Sequence, residues 1–278
     1  MEILRAETMG FCMGVRRAMQ AIEEILESPV PRPITTYGPL IHNERVLSDL
    51  EKRGIGRIDS IEDFTGGSVI LRTHGVRPLD TQRFKEAGAQ VVDLTCPRVL
   101  KSQNMVAEAH RKGESVILVG DKNHGEIVAI EGAAPGCAII RTVEEAEDVQ
   151  MDGDVLVVAQ TTLLKDEYLA IGEILKRRNP SAEIAMTLCP ATVQRQLALA
   201  ELAGRVDGIL VIGGKNSANT GKLFQQARET GLPSWHIEGS GDIPEVVYSL
   251  DRVGITAGAS TPDWIIEEVE ESLKRRSV

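Results

Sequence analysis

Three cysteines of this chain stand in one and the same local context, and that repetition constrains the fold more than any other feature. The stretch "EILRAETMGFCMGVRRAMQAIEEIL" runs from a short strand into Cys12 and then a helical pattern, with Val15, Ala18, Met19, Ile22 and Leu26 recurring at helical spacing. "VVDLTCPRVLKSQNMVAEAHRKG" repeats the order around Cys96, and "AEIAMTLCPATVQRQLALAELAG" repeats it around Cys189. Pro97 and Pro190 directly follow two of these cysteines, and proline suits the first helical position because its missing N–H is not needed there. Gly113 and Gly204 supply C-terminal stops for two of the helices.

The repetition extends beyond the cysteines. Each helix leads into an apolar run and then a glycine followed four positions later by a polar residue: "YGPLIHN" with His42, "VGDKNHGE" with His124 and "IGGKNSAN" with Ser217. The distances from cysteine to tip are 30, 28 and 28 residues. A second apolar run follows in each unit, again with a polar end: "VILRTHGV" with His74, "VLVVAQTTL" with Thr161 and Thr162, and "VGITAGAST" with Ser260 and Thr261. Alternating strand and helix patterns predict an α/β fold of three similar lobes with mainly parallel sheets, at 1–95, 96–187 and 188–278, the last including a C-terminal helix. Ligands of such sheets sit beyond the carboxyl ends of the strands, where every polar tip falls. The simplest arrangement turns the three sets of tips toward one pseudo-threefold central cavity.

Composition narrows the function. A formal net charge of −10 over 278 residues argues against nonspecific nucleic-acid binding and against an anionic membrane surface, while leaving small anionic substrates open. No apolar run reaches spanning length, and "MEILRAETMGFC" lacks the basic-then-apolar order of a signal peptide, so a cytoplasmic protein is expected. Four cysteines in such a protein point to metal or catalytic thiols before disulfides.

A thiol at a helix N-terminus favours the thiolate, and three thiolates from three lobes suit a metal centre. Structural zinc sites tend to use C-x-x-C pairs, of which there are none; an iron–sulfur cluster accepts ligands spread along the chain. Three cysteines leave one iron of a four-iron cluster open to substrate. Cys137, outside the repeat, reads as a buried small hydrophobe, and His110 and His236 receive no role. His42, His74 and His124 at equivalent strand ends, with the "NSANT" and "GAST" runs, suit an anionic ligand such as phosphate. "NHGE" adds Glu126, a carboxylate able to deliver protons when its pKa suits the task. Two other readings use the same residues: a cluster-bearing electron carrier or sensor, and a phosphate-ligand-binding protein with plain thiols. Neither a Rossmann fingerprint nor a Walker arrangement is present in "GKNSANTGK".

Together "GFCMGVRRA", "GPLIHN", "THGV", "TCPRV", "NHGE", "AQTT", "GGKNSANT" and "ITAGASTP" resemble the signature of the 4-hydroxy-3-methylbut-2-enyl diphosphate reductase (LytB/IspH) family, over residues 1 to about 270. The resemblance implies a [4Fe–4S] cluster on Cys12, Cys96 and Cys189, whose open iron meets the substrate's allylic hydroxyl. It implies reductive dehydroxylation to isopentenyl and dimethylallyl diphosphates, the last step of the non-mevalonate isoprenoid pathway. Residue by residue it implies a diphosphate held by His42, His74, His124, Ser217, Asn219 and Ser260. Glu126 matches the proton donor and Thr161 its partner, with His124 beside them. An external electron donor such as ferredoxin or flavodoxin is expected. The chain departs from the family pattern at Gly125, where proline is usual, at Ala218, where serine is frequent, and at Gln103, where histidine is frequent.

Overall fold

The computed structural model describes residues 1–276. In chain order the N-terminal part carries β1 (Glu2–Arg5), α1 (Met13–Glu27), β2 (Ile34–Tyr37), α2 (Glu44–Lys52), β3 (Ile55–Ile58), β4 (Ser68–Leu71), α3 (Pro78–Glu86) and β5 (Gln90–Asp93). The middle part carries α4 (Pro97–Lys112), β6 (Ser115–Val119), α5 (Gly125–Glu131), β7 (Ala138–Ile140), α6 (Val143–Asp148), β8 (Val155–Ala159), α7 (Lys165–Arg178) and β9 (Glu183–Ala185). The C-terminal part carries α8 (Pro190–Ala203), β10 (Gly208–Ile212), α9 (Ala218–Glu229), β11 (Ser234–Ile237), β12 (Arg252–Ala257) and α10 (Asp263–Arg276).

These strands form three four-stranded sheets, all parallel, ordered β3-β2-β4-β5, β7-β6-β8-β9 and β11-β10-β12-β1. The three orders are the same. In each, the first central strand connects outward to one edge; the second connects outward to the other edge in the first two sheets, while in the third that edge is filled by β1 from the start of the chain. A topological switch point therefore lies between β2 and β4, between β6 and β8, and between β10 and β12, where open α/β sheets bind ligands. Register completes the effect, because Tyr37 pairs with Leu71, Val119 with Ala159 and Ile212 with Ala257. Strands that end level release their polar tips side by side.

The three-lobed parallel α/β architecture read from the repeat is the one observed. One strand sits elsewhere than the repeat boundaries assign it. β1 belongs by sequence to residues 1–95, but it hydrogen-bonds to β12 and closes the sheet of the C-terminal strands. The physical reason lies in the sheet order. β5 before Cys96 and β9 before Cys189 each form the last edge of their sheet, and the matching edge of the third sheet falls to the strand before Cys12.

By compactness the chain forms two units. One comprises 1–16, 41–49 and 190–278, and the other 17–40 and 50–189. The first holds the β11-β10-β12-β1 sheet, between a core of Leu210, Ile255, Ile265 and Val269 on one face and of Leu199, Leu202, Ile209 and Leu223 on the other. The second holds the other two sheets. There Val99, Val106 and Ala109 of α4 pack on Val116, Leu118, Leu156 and Val158. Tyr168 on α7 is buried and its hydroxyl donates to Ala185 O (2.7 Å) and Val157 O (3.2 Å). Tyr168→Phe is expected to lower stability by about 1–2 kcal/mol in urea titration, because a buried acceptor loses its donor.

The helix starts follow the sequence. Cys96 is the N-cap of α4, with Pro97 as first helical residue and Gly113 closing the helix at a φ of +79°. α8 likewise begins at Pro190 and ends just before Gly204. Among the described residues, no helix is long and apolar enough to cross a membrane.

Candidate active site

Each cysteine is anchored to the polar tip beside it. The backbone N–H of Cys96 donates to Thr73 O (2.9 Å), that of Cys189 to Thr161 O (2.9 Å) and that of Cys12 to Ala259 O (3.1 Å). The acceptors are the neighbours of His74 and Ser260, and Thr161 itself. The threefold repeat thus survives down to single hydrogen bonds. Among the described residues, none of the four cysteines is in a disulfide, and each is partly buried. Two arginines, the exposed Arg17 and the buried Arg195, brace the cysteine loops. Arg17 donates to Thr95 O (2.7 Å), beside Cys96, and Arg195 donates to Gly10 O, two residues before Cys12. Neither arginine was singled out from sequence; only its distance after a cysteine, five residues for Arg17 and six for Arg195, could have marked it.

In the second unit the tips of β6 and β8 meet. Glu126 lies in the first turn of α5 and is 2% exposed. Both its oxygens are engaged by one residue: Thr161 N–H donates to Oε1 (2.6 Å) and Thr161 Oγ1 donates to Oε2 (2.8 Å). Burial pushes the Glu126 carboxyl up to about 7, against the lowering effect of the two Thr161 hydrogen bonds. A carboxylic acid poised near neutrality, on a switch point, is what proton delivery requires. His124 is the N-cap of α5; its Nδ1 accepts the Glu126 N–H (3.2 Å), so the neutral ring carries its proton on Nε2. The His74 ring stands edge-on to His124, with centroids 5.5 Å apart. Gln160 accepts Asp121 N–H (3.1 Å) and donates to Thr162 Oγ1 (2.9 Å), tying the two tips together.

The raised value sets a pH dependence. The folded protein holds a proton on Glu126 that the unfolded chain, near the ordinary 4.5, releases. Stability from this group is full below about 4.5 and is lost as pH rises to about 7. Glu126→Gln removes that loss. Its melting temperature is expected to fall less than the wild type's between pH 5 and 8.

The first unit gathers another set. Ser217 caps α9, accepting Thr220 N–H (3.3 Å), and Ser260 Oγ reaches Ser217 Oγ (3.4 Å) and donates to His42 O (3.1 Å). His42 therefore groups with Ser217, Asn219 and Ser260, although it follows β2 in the chain. Gly214 permits this approach, since a Cβ there would come within 2.6 Å of His42 O. Asn219 is 5% exposed, and neither its Oδ1 nor its Nδ2 has a partner among the described residues. A buried amide without partners costs stability, and it is retained where a ligand satisfies it.

Outside the repeat, Cys137 is partly rather than fully buried. Cys137 packs against the core of the β6–β8 sheet, and burial pushes its thiol up to about 11. His236 Nε2 binds Gly213 O (2.9 Å) and its ring lies against Phe224, a structural role. At the departures from the family pattern, Gly125 lies against the Arg72 guanidinium, and Gln103 donates to two backbone carbonyls. Arg72 was not picked out from sequence; its only mark is its place two residues before His74.

The fold and site define a class: parallel α/β chains of three like sheets, each bringing one cysteine and a pair of polar tips to its strand ends. Within that class the chain belongs to the LytB family, whose sequence model, described as "LytB protein", matches residues 3–274. A relative from Treponema denticola named 4-hydroxy-3-methylbut-2-enyl diphosphate reductase is 42% identical over 287 residues, covering 98% of this chain and 99% of the relative. One of the same name from Caldanaerobacter subterraneus is 40% identical, with 99% and 97% covered. The solved (E)-1-hydroxy-2-methyl-but-2-enyl-4-diphosphate reductase of Plasmodium falciparum superposes with a TM-score of 0.91 at 28% identity, over 99% of this chain and 87% of that one. A second solved structure, titled as the terminal enzyme of the non-mevalonate pathway, gives a TM-score of 0.72 at 36% identity, over 99% and 100%.

Proposed function

We propose that this chain reductively removes the allylic hydroxyl of 4-hydroxy-3-methylbut-2-enyl diphosphate. Two electrons and two protons give isopentenyl or dimethylallyl diphosphate and water. The observation that carries the reading is the buried Glu126 carboxyl, held by Thr161 and poised near pH 7. An electron carrier has no use for such a group.

The donor set fits a [4Fe–4S] cluster ligated by Cys12, Cys96 and Cys189, one from each of the lobes 1–95, 96–187 and 188–278. All three cysteines lie outside any disulfide, are partly exposed and are fixed at the backbone. When bound, the cluster supplies electrons and a Lewis-acidic iron. The chain's own residues do the rest. Glu126 holds the proton for the leaving hydroxyl, and Thr161 fixes its carboxyl. His42, His74, His124, Ser217, Asn219 and Ser260 donate hydrogen bonds to the diphosphate, and donors to charged oxygens form the stronger bonds. An external ferredoxin or flavodoxin in the cytoplasm provides the electrons.

The diphosphate role of Asn219 has its own signature. Asn219→Leu is expected to keep or raise the melting temperature, because two buried unpartnered atoms disappear. The KM for the diphosphate is expected to rise about tenfold or more, the worth of a hydrogen bond to a charged group. A lowered melting temperature with unchanged KM would make Asn219 a packing residue. Anaerobic turnover of the diphosphate alcohol tests the reading as a whole.

A further inference from the structure

Gln103 lies seven residues after Cys96, two turns along the buried face of α4, and is itself 8% exposed. Its Nε2 donates to Val76 O (2.9 Å) and to Ala129 O (2.9 Å). Both partners are acceptors only, so the amide can face them only with its NH2 end, and both N–H groups are used. Val76 closes the turn that presents His74. Ala129 lies one turn beyond Glu126 on α5. One side chain thus joins the cysteine helix, the His74 turn and the Glu126 helix.

The same three segments are pressed together around the bridge. A Cβ on Gly75 would stand 3.3 Å from side-chain atoms of Thr95, Val99 and Ala129, and Gly75 holds a φ of +78°, so only glycine fits this turn. Arg72 ties the turn from its other end. Its Nε donates to Gly75 O (3.2 Å), and its guanidinium rests on Gly125, where a Cβ would meet Nη2 at 3.1 Å. A seven-residue helix such as α5 has little stability of its own, so its placement is set by what it is fastened to.

We infer that Gln103 is a positioning residue for the reductase reaction: its double hydrogen bond fixes α5, and with it His124 and Glu126, against the His74 turn and the Cys96 helix. The inference deepens the proposed function and rests on the role assigned there to Glu126. A histidine at this position has fewer N–H groups to offer and satisfies one carbonyl when neutral. Methionine fills similar space and satisfies neither.

The test uses cluster-loaded protein and compares wild type, Gln103→Met and Gln103→His by two readouts. Amide hydrogen exchange across 125–131 is expected to speed up about tenfold in Gln103→Met relative to β6 and β8, the equivalent of about one net hydrogen bond. The kcat is expected to fall by a similar factor with KM little changed, and Gln103→His is expected to recover part of both. Unchanged exchange in α5 overturns the inference. So does loosening spread evenly over β6, β8 and α5 with kcat falling only as the folded fraction falls. If Gln103→Met does not fold, Gln103→His against wild type decides by the same two criteria. Faster exchange confined to α5 in a protein whose wild type turns nothing over supports the bridge and counts against the reductase reading alone.

Discussion

Glu126→Gln is expected to lower turnover about a hundredfold or more while leaving the fold and the cluster content intact, since positioned acid catalysis contributes on that order. The geometry makes the substitution a clean one. Gln is isosteric, and Thr161 Oγ1 can turn to accept from the new amide where it now donates to Oε2. What disappears is the ionisable proton. In the wild type, kcat is expected to decline as pH rises through about 7, because burial sets the carboxyl there and the deprotonated form delivers nothing. The variant's residual rate should show no such decline. Equal turnover in Glu126→Gln, or an unchanged pH profile, would place the proton source elsewhere.

Cys96→Ala is expected to abolish turnover and the cluster's visible absorbance together, with Cys12→Ala and Cys189→Ala behaving alike. Cys137→Ala is expected to change neither. The contrast follows from placement. The three ligand candidates stand at strand-to-helix junctions, each with its backbone N–H bonded to an adjacent polar tip. Cys137 instead packs against the core of the β6–β8 sheet, with its thiol held protonated by burial. Anaerobic reconstitution followed by iron and sulfide analysis of the four variants checks this. Iron retained by Cys96→Ala, or lost from Cys137→Ala, would reassign the ligands.

Much of this was legible because strand ends and helix starts are local events. Cys-Pro after an apolar run placed Cys96 and Cys189 at helix N-termini, and the α4 boundaries at Pro97 and Gly113 follow the same chemistry. The polar tips His42, His74, His124, Thr161, Ser217 and Ser260 could be picked out because each follows a short strand, four to six residues long, in a repeated frame. Partners set by distant chain segments were not readable. That β1 would pair with β12 depends on which sheet lacks an edge, and nothing in residues 2–5 states it. The grip of Thr161 on Glu126 spans 35 positions, and the Gln103 bridge spans 27 and 26. Arg17, Arg72 and Arg195 look in sequence like surface charges on helices and loops. Only the fold turns their guanidinium groups inward to Thr95, Gly75 and Gly10 carbonyls.

The central claim joins a buried acid near neutrality to a three-cysteine cluster in one reductive step, and anaerobic turnover tests it most directly. Cluster-loaded protein, reduced with dithionite and a viologen mediator, is given 4-hydroxy-3-methylbut-2-enyl diphosphate, and the products are separated and identified. The account predicts isopentenyl and dimethylallyl diphosphates, with viologen oxidised at two electrons per product. A fully loaded, reduced protein that leaves the substrate unchanged would contradict it.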